Sequence, residues 1–142
     1  MVNAISKAII RSLNTEFGEE YQYGREEKPQ EVPVPGFWVR CADHSCRLFL
    51  GNRYFRRNRF CIQYFPETKG QENEECCAAA ERLFQCLEYL EVDGDLIRGT
   101  NMKYEITEGV LYFSVNYDLF LYRITEDVPV MEEVISETSV KG

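Results

Sequence analysis

Six arginines between positions 40 and 59 are the residues whose chemistry stands out in this chain. They are accompanied by a single acid, Asp43, so the segment has a formal charge of +5, whereas the whole chain has a net charge of −8 and the remaining residues together carry −13. Opposite charges on different faces of one subunit favour docking, electrostatic steering or head-to-tail assembly. The pattern therefore predicts binding rather than catalysis.

Aromatic residues are interleaved with these arginines, and arginine and tyrosine dominate the hot spots of protein interfaces. We therefore predict a contact surface for subunits or partners. Its residues are Arg40, Arg47, Arg53, Tyr54, Arg56, Arg57 and Arg59. Two alternatives stay open: an edge strand whose solvated positive charge blocks aggregation, and a surface for nucleic acid. The acidic remainder of the chain would repel a polyanion, which favours an acidic protein partner, including an identical subunit.

Residues that could form an active site are sparse. His44 is the single histidine, and the sequence contains neither Gly-x-Ser-x-Gly nor a phosphate-binding glycine loop. Adjacent acids such as Glu74 and Glu75 are typical of a solvated surface. Asp93-Gly-Asp95 lacks the third acid and the terminal glutamate of a calcium loop and instead predicts a β-turn. We expect no enzyme activity and no cofactor.

Six cysteines raise the question of disulfides or zinc. Cys41, His44 and Cys46 form a Cys-x-x-His-x-Cys cluster, but a structural zinc site needs a fourth ligand, and none is visible nearby. The N-terminus has no basic segment followed by an apolar one, so we expect no export signal. Reduced thiols that act as small apolar side chains are therefore expected, with no bound metal.

Two helices are predicted to position the sheet. The first extends over 3–17, with Asn3 as its cap and Gly18 as its stop. The second is capped by Asn73 and reaches about Glu91. Its apolar residues are spaced by four, three, four and three, which indicates a face laid against a sheet. These residues are Cys76, Ala80, Leu83, Leu87 and Leu90.

The remaining segments are predicted to be mostly β-structure. Around the arginines we expect strands at Phe37–Cys41 and Cys46–Leu50, joined by a turn at 43–45, then a turn at Gly51-Asn52 and a long strand from about 54 to 65. Tyr21 and Tyr23 alternate as in a short strand, and three prolines between Pro29 and Pro35 indicate a stiff extended loop.

In the last third, alternation over 102–107 and 110–124, separated by a turn at Glu108-Gly109, is typical of antiparallel strands. The expected fold class is α+β, a mainly antiparallel sheet flanked by two helices. The length fits a single domain over 1–126, followed by an acidic and polar C-terminal tail over 127–142. The apolar runs are too short to cross a bilayer, so we expect no membrane contact.

Three segments resemble the tail terminator family of phages and of prophage-derived or tailocin-type particles from Gram-positive bacteria. They are Asn-Ala-Ile-x-Lys-Ala-Ile at 3–9, Leu-Phe-Leu-Gly-Asn-Arg-Tyr-Phe-Arg-Arg-Asn-Arg-Phe-Cys-Ile-Gln-Tyr-Phe-Pro at 48–66, and Tyr-Phe-Ser-Val-Asn-Tyr at 112–117. The similarity extends in order from about Val2 to Ile124. The individual motifs are not catalytic, and together they carry the resemblance.

The resemblance implies a tail-terminator-like fold and a structural subunit that forms a hexameric ring on the head-proximal end of a tail tube. Such a ring ends polymerisation of the tube, and of the sheath in contractile tails, and joins the tube to the connector or collar. Arg53, Arg56, Arg57 and Arg59 would make subunit or tube contacts. The Pro29–Pro35 loop and the tail after Glu126 would reach towards neighbours.

The partners implied are identical subunits in a homo-hexamer, the tail tube protein, the sheath protein and the head–tail connector, with DNA only in transit. The implied location is the tail of a virion or phage-like particle that assembles in the bacterial cytoplasm. The residues by themselves also fit a different class of protein. In that alternative, a cytosolic binding module uses the arginine and aromatic strand to hold an acidic protein or nucleic acid.

Overall fold

The computed structural model describes residues 2–25, 33–124 and 134–136, with side chains through position 120 except at 49 and 50. Within these residues, two helices and seven strands follow one another along the chain. Their bounds are α1 Val2–Phe17, β1 Gln22–Gly24, β2 Gly36–Leu50, β3 Arg53–Phe65, α2 Glu72–Cys86, β4 Tyr89–Val92, β5 Asp95–Thr107, β6 Val110–Ile124 and β7 Val134–Ser136. Neither described helix has the length and apolar composition needed to span a membrane.

The strands form one sheet whose spatial order is β1-β2-β3-β6-β5-β4, and β7 pairs with the C-terminal end of β6. β1 and β2 are parallel, and the other neighbouring strands are antiparallel. α1 packs on β2 and β4, α2 packs on β3, β5 and β6, and the two helices contact each other. The α+β class predicted from the sequence is confirmed.

The core lies between the two helices and one face of the sheet. The ring of Phe17 in α1 lies 4.6 Å from that of Phe37 in β2, and the ring of Phe84 in α2 lies 5.0 Å from that of Phe113 in β6, measured between centroids. Both helices therefore cover the same face. The buried side chains of that face in β3 and β6 alternate along each strand, as the sequence predicts: Phe60, Ile62, Tyr64, Leu111, Phe113, Val115, Tyr117 and Leu119.

α1 begins one residue earlier than the sequence predicts. Asn3 lies inside its first turn, so the prediction that this residue caps the helix is wrong. The stop at Gly18 is confirmed, since its φ of +96° is a left-handed conformation that glycine adopts without strain. Its N–H donates to the carbonyl of Asn14 at 2.9 Å and so closes the last turn.

α2 also differs from the prediction at both ends. It begins at Glu72, so Asn73 is not its cap; the Glu72 carboxylate accepts the N–H of Gly70 at 3.1 Å and fixes the turn before the helix. It ends at Cys86 instead of near Glu91. The N–H of Leu87 still donates to the carbonyl of Leu83, and the chain then becomes extended.

Residues 89–92 form strand β4 instead of the predicted last turn of α2. Leu90 and Val92 are buried in alternation and pair with β5. Asp93 and Gly94 have φ values of +53° and +87°, the two consecutive left-handed conformations of a tight hairpin. The turn predicted at Asp93-Gly-Asp95 is therefore confirmed. Leu90 fits the spacing of both a helix and a strand, and it lies in a strand because it pairs with β5 in the hairpin.

β2 is one strand where the sequence predicts two strands and a turn. Instead of turning at 43–45, it pairs with β3 throughout, with a β-bulge between Cys41 and Asp43. A bulge inserts one residue and bends the strand while preserving the ladder. The turn at Gly51-Asn52 is confirmed, and Gly51 has a φ of +59°.

β5 is longer than predicted, because it begins at Asp95 rather than at Met102. A register shift lies between Thr100 and Lys103, beside Asn101 with a φ of +53°, and this irregularity interrupts the alternation on which the shorter prediction rested. The turn at 108–109 and the long strand β6 are confirmed.

Parts of two sequence predictions lie outside the described residues. Of the Pro29–Pro35 loop, the structure describes Pro33 to Pro35, where the Val34–Pro35 peptide bond is cis. Of the C-terminal tail, it describes β7, which pairs with Tyr122–Ile124 of β6. The division into a domain over 1–126 and a tail over 127–142 stays a prediction.

Candidate interaction surface on the open face of the sheet

Strand alternation divides the predicted arginine surface between two faces of the sheet. Phe60, Ile62 and Tyr64 lie buried beneath the helices, so Arg56 and Tyr54, an even number of residues away, are on the helix side of β3. The odd positions of β3 are on the opposite face. We call the face that α1 and α2 do not cover the open face.

The register between β2 and β3 adds two arginines to the open face. Arg40 pairs with Cys61, and Arg47 pairs with Phe55. Of the seven predicted residues, five are therefore on the open face: Arg40, Arg47, Arg53, Arg57 and Arg59. Tyr54 and Arg56 are on the helix side, beyond the part of the strand that the helices bury.

Two phenylalanines organise the arginines at the end of the β2–β3 hairpin. The rings of Phe55 and Phe120 lie 5.2 Å apart. The guanidinium carbons of Arg47 and Arg57 lie 5.7 and 5.5 Å from the centroid of the Phe55 ring. That of Arg53 lies 5.2 Å from the centroid of the Phe120 ring. We call Arg47, Arg53, Phe55, Arg57 and Phe120 the arginine–phenylalanine cluster. Cation–π contacts of this kind hold the guanidinium planes in place over the rings.

Phe55 and Phe120 are the part of this surface that sequence reasoning missed. Phe120 is 41% exposed, although it belongs to a strand whose other phenylalanine is fully buried. The alternation in β6 already assigns position 120 to the polar face, which is a weak signal for an exposed aromatic residue. Its contact with Phe55 depends on the pairing of β3 with β6, which the sequence does not specify.

Asp118 is an acid on the open face that lies beside the cluster. Its Oδ1 lies 3.8 Å from Nε of Arg57, and the two side chains are 20% and 50% exposed. Burial raises the pKa of Asp118, while Arg57 and a hydrogen bond from the backbone of Asn58 act in the opposite direction. Ion pairs this exposed contribute little to stability. The cluster therefore retains a positive excess.

Cys61 is the cysteine of β3 on the open face, and burial raises the pKa of its thiol. Burial raises the pKa of Cys76 to about 11 and that of Cys86 to about 12, so both thiols are protonated at neutral pH. All six cysteines are unpaired. Among the described residues, no group of three or more His, Cys, Asp and Glu side chains is placed to hold a metal ion.

A sheet that is covered by helices on one face and carries arginines and aromatic rings on the other has the side-chain composition typical of surfaces that bind other proteins. The comparison with protein families then gives the particular group. The chain belongs to the phage tail terminator protein family, whose model matches residues 4–129. The resemblance to tail terminators inferred from the sequence is confirmed, whereas the origin from Gram-positive or tailocin-type particles stays a prediction.

Family membership gives the protein a structural role in a phage tail, a location in the virion tail and contacts with other tail components. No curated protein matches the chain. One solved structure aligns with 85% of this chain and 98% of its own, at 12% sequence identity and a TM-score of 0.36. A similarity this weak carries no argument about fold or function.

Proposed function

We propose that this protein forms a hexameric ring that caps the head-proximal end of a phage tail tube. The ring ends polymerisation of the tube, and of the sheath where the tail contracts, and joins the tube to the connector or collar. It catalyses no reaction. Its partners are identical subunits, the tail tube protein, the sheath protein and the head–tail connector, and it assembles in the bacterial cytoplasm, with DNA only in transit.

The observation that supports this proposal beyond family membership is the arginine–phenylalanine cluster on the open face. Clustered arginines and aromatic rings are the residues that contribute most to binding at protein interfaces. The helices occupy the other face, and on the open face Arg40, Arg47 and Arg57 are exposed and remain for docking. The five open-face arginines would act in one contact, whereas Arg56 and Tyr54 would act in a second contact on the helix side.

The two faces suit what a terminator has to do. One surface must complement the end of the tube, and another must fail to template the next ring of tube subunits. A subunit with a cationic open face and an otherwise acidic surface has two chemically different sides. Negative charge elsewhere on the ring would also keep DNA from adhering during passage.

Electron microscopy of tubes assembled from the tail tube protein tests the proposal. We expect tubes grown with this protein to be shorter and to carry a six-membered ring at one end. Arg47→Glu/Arg57→Glu should abolish the rings, whereas Lys7→Glu, which reverses one exposed charge on α1, should keep them. Tubes of unchanged length without rings would contradict the capping role.

A further inference from the structure

The arginine–phenylalanine cluster and the N-terminus of α2 lie at opposite ends of the β3–β6 strand pair. In the β3–β6 register, Arg53 pairs with Tyr122 at one end, and Tyr64 pairs with Leu111 at the other. A strand rises about 3.4 Å per residue, so the two ends are roughly 35 Å apart. The arginine–phenylalanine cluster therefore occupies one pole of the subunit.

The opposite pole is acidic and concave. The N-terminus of α2 and the β5–β6 turn meet there, since Gly109 approaches the side chain of Glu72. A depression between these elements is lined by Glu72, Glu74 and Glu108. Glu74 and Glu108 are exposed. We call this feature the acidic depression.

The charges of the two poles are complementary. At one pole, Arg47 and Arg57 are exposed near the end of the β2–β3 hairpin. At the other, carboxylates surround a concave surface. Guanidinium groups recognise carboxylates with high geometric specificity. Because both poles belong to one chain, a second copy supplies the acidic partner in equal number.

We infer that the arginine–phenylalanine cluster of one copy docks on the acidic depression of the next copy. This inference rests on the proposed function and specifies the contact that builds the ring. A contact between two different patches is heterologous, and its repetition closes a ring when the rotation between subunits permits. The occupant of the cluster is thus an identical subunit, in preference to the tail tube protein or nucleic acid.

A charge-exchange experiment tests this contact directly. The first variant is Arg47→Glu/Arg57→Glu, and the second is Glu74→Lys/Glu108→Lys. Each variant alone should associate at least about tenfold more weakly than the unmodified protein, because like charges then meet at the contact. A mixture of the two should restore assembly, with the variants alternating around the ring. Native mass spectrometry distinguishes their masses and counts each type of subunit.

Folding and specificity require their own controls. Arg47→Glu by itself leaves the Arg57–Asp118 pair in place, and thermal unfolding should match that of the unmodified protein. Lys7→Glu and Glu81→Lys each reverse one exposed charge, the first on α1 and the second farther along α2. Both should assemble normally, and their mixture should give random, not alternating, composition.

The outcomes separate the inference from the proposed function. Failure of the mixture to reassemble, or a protein that stays monomeric at millimolar concentration in low salt, would overturn the inference. If single variants assemble normally but no longer bind tubes, the cluster contacts the tube protein, and the inference is again overturned. Restored rings that do not shorten tubes would leave the inference standing and contradict the capping role.

Discussion

Tyr117 joins the sheet to the end of α2 through one buried hydrogen bond. Its hydroxyl donates to the carbonyl of Leu87 at 2.6 Å, and the ring is fully buried. Burial raises the pKa of Tyr117, so the hydroxyl remains a donor. Tyr117→Phe leaves the carbonyl unpaired in the core and should lower the free energy of unfolding by about 1–3 kcal/mol. Urea denaturation measures the change.

Tyr89→Phe is the matched control for that substitution. Tyr89 is 49% exposed, and phenylalanine keeps the ring beneath the Arg98 guanidinium, 6.0 Å from its centroid. The free energy of unfolding should change by less than about 0.5 kcal/mol. If the two variants lost the same free energy of unfolding, the hydrogen bond from Tyr117 to Leu87 would not contribute to stability.

Glu75 holds together the loop that precedes α2. It accepts hydrogen bonds from the hydroxyl of Tyr64 and from the backbone N–H groups of Glu67 and Thr68. Burial acts to raise the pKa of Glu75, but these bonds to the charged form outweigh it and hold the pKa below its ordinary value of 4.5. The carboxylate is therefore stabilised by folding.

This lowered pKa predicts how stability depends on pH. Since the folded form binds the proton less tightly than the unfolded form, the stabilisation is present above pH 4.5 and is lost as the pH falls through the lower folded pKa. Glu75→Gln should lower the free energy of unfolding by about 1–2 kcal/mol at neutral pH, because it removes charge-assisted bonds. The difference from the unmodified protein should shrink in acid. Urea denaturation at several pH values gives both quantities.

Glu74→Gln provides the comparison, because the exposed Glu74 lies in the same first turn of α2. At neutral pH, Glu74→Gln should lower the free energy of unfolding by about 0.5 kcal/mol or less, because Glu74 interacts with the helix dipole alone. A Glu75→Gln difference that stays constant as the pH falls would contradict the assignment of these bonds to the ionised carboxylate.

At the scale of elements, Gly99 allows β5 to pass close to the end of α2. A Cβ atom at this position would lie 2.7 Å from the carbonyl oxygen of Leu87 and 2.9 Å from Cγ2 of Val115. The backbone oxygen has little freedom to move, so Gly99→Ala should lower the free energy of unfolding by about 2–3 kcal/mol. Thermal or urea unfolding measures this loss.

Gly70→Ala separates crowding from backbone strain. Gly70 has a φ of +88°, and nothing lies within 4 Å of a Cβ built there. Its substitution should destabilise by about 1 kcal/mol from backbone conformation alone. We expect Gly70→Ala to lose less free energy of unfolding than Gly99→Ala. The reverse order would contradict the close contact between β5 and the end of α2 at Gly99.

The β-bulge between Cys41 and Asp43 has a consequence for the candidate surface. It allows β2 to continue past the core as a partner of β3, in place of the turn that the sequence predicts there. Arg47 consequently pairs with Phe55 and reaches the open face. A polar Asp-His-Ser segment is typical of a turn, and only the unbroken ladder with β3 overrides that local preference.

At the scale of the whole molecule, charge decides between an acidic protein partner and nucleic acid. The arginine cluster could hold phosphates, but the chain has a net charge of −8, and DNA is repelled by the remaining surface. We expect no shift of labelled DNA at physiological salt, about 0.15 M. An electrophoretic mobility assay tests this. A monomer that shifts DNA, and loses this activity in Arg47→Glu/Arg57→Glu, would favour the binding-module alternative.

The sequence by itself determined the features that depend on short spacing. The period of two in β6, the glycine stop after α1 and the turns at 51–52, 93–95 and 108–109 were readable because each depends on neighbouring residues. The excess of arginines between 40 and 59 and the motifs shared with the family were likewise properties of local sequence.

Only the tertiary structure decided which of those residues meet. It converted the end of the second predicted helix into β4, because Leu90 fits either period and pairing with β5 selects the strand. It separated Arg56 and Tyr54 from the five other predicted residues. It also brought Phe120 next to Phe55, because β6 pairs directly with β3. Strand register brings distant residues together, and so the shape of the candidate surface is fixed by long-range pairing rather than by composition.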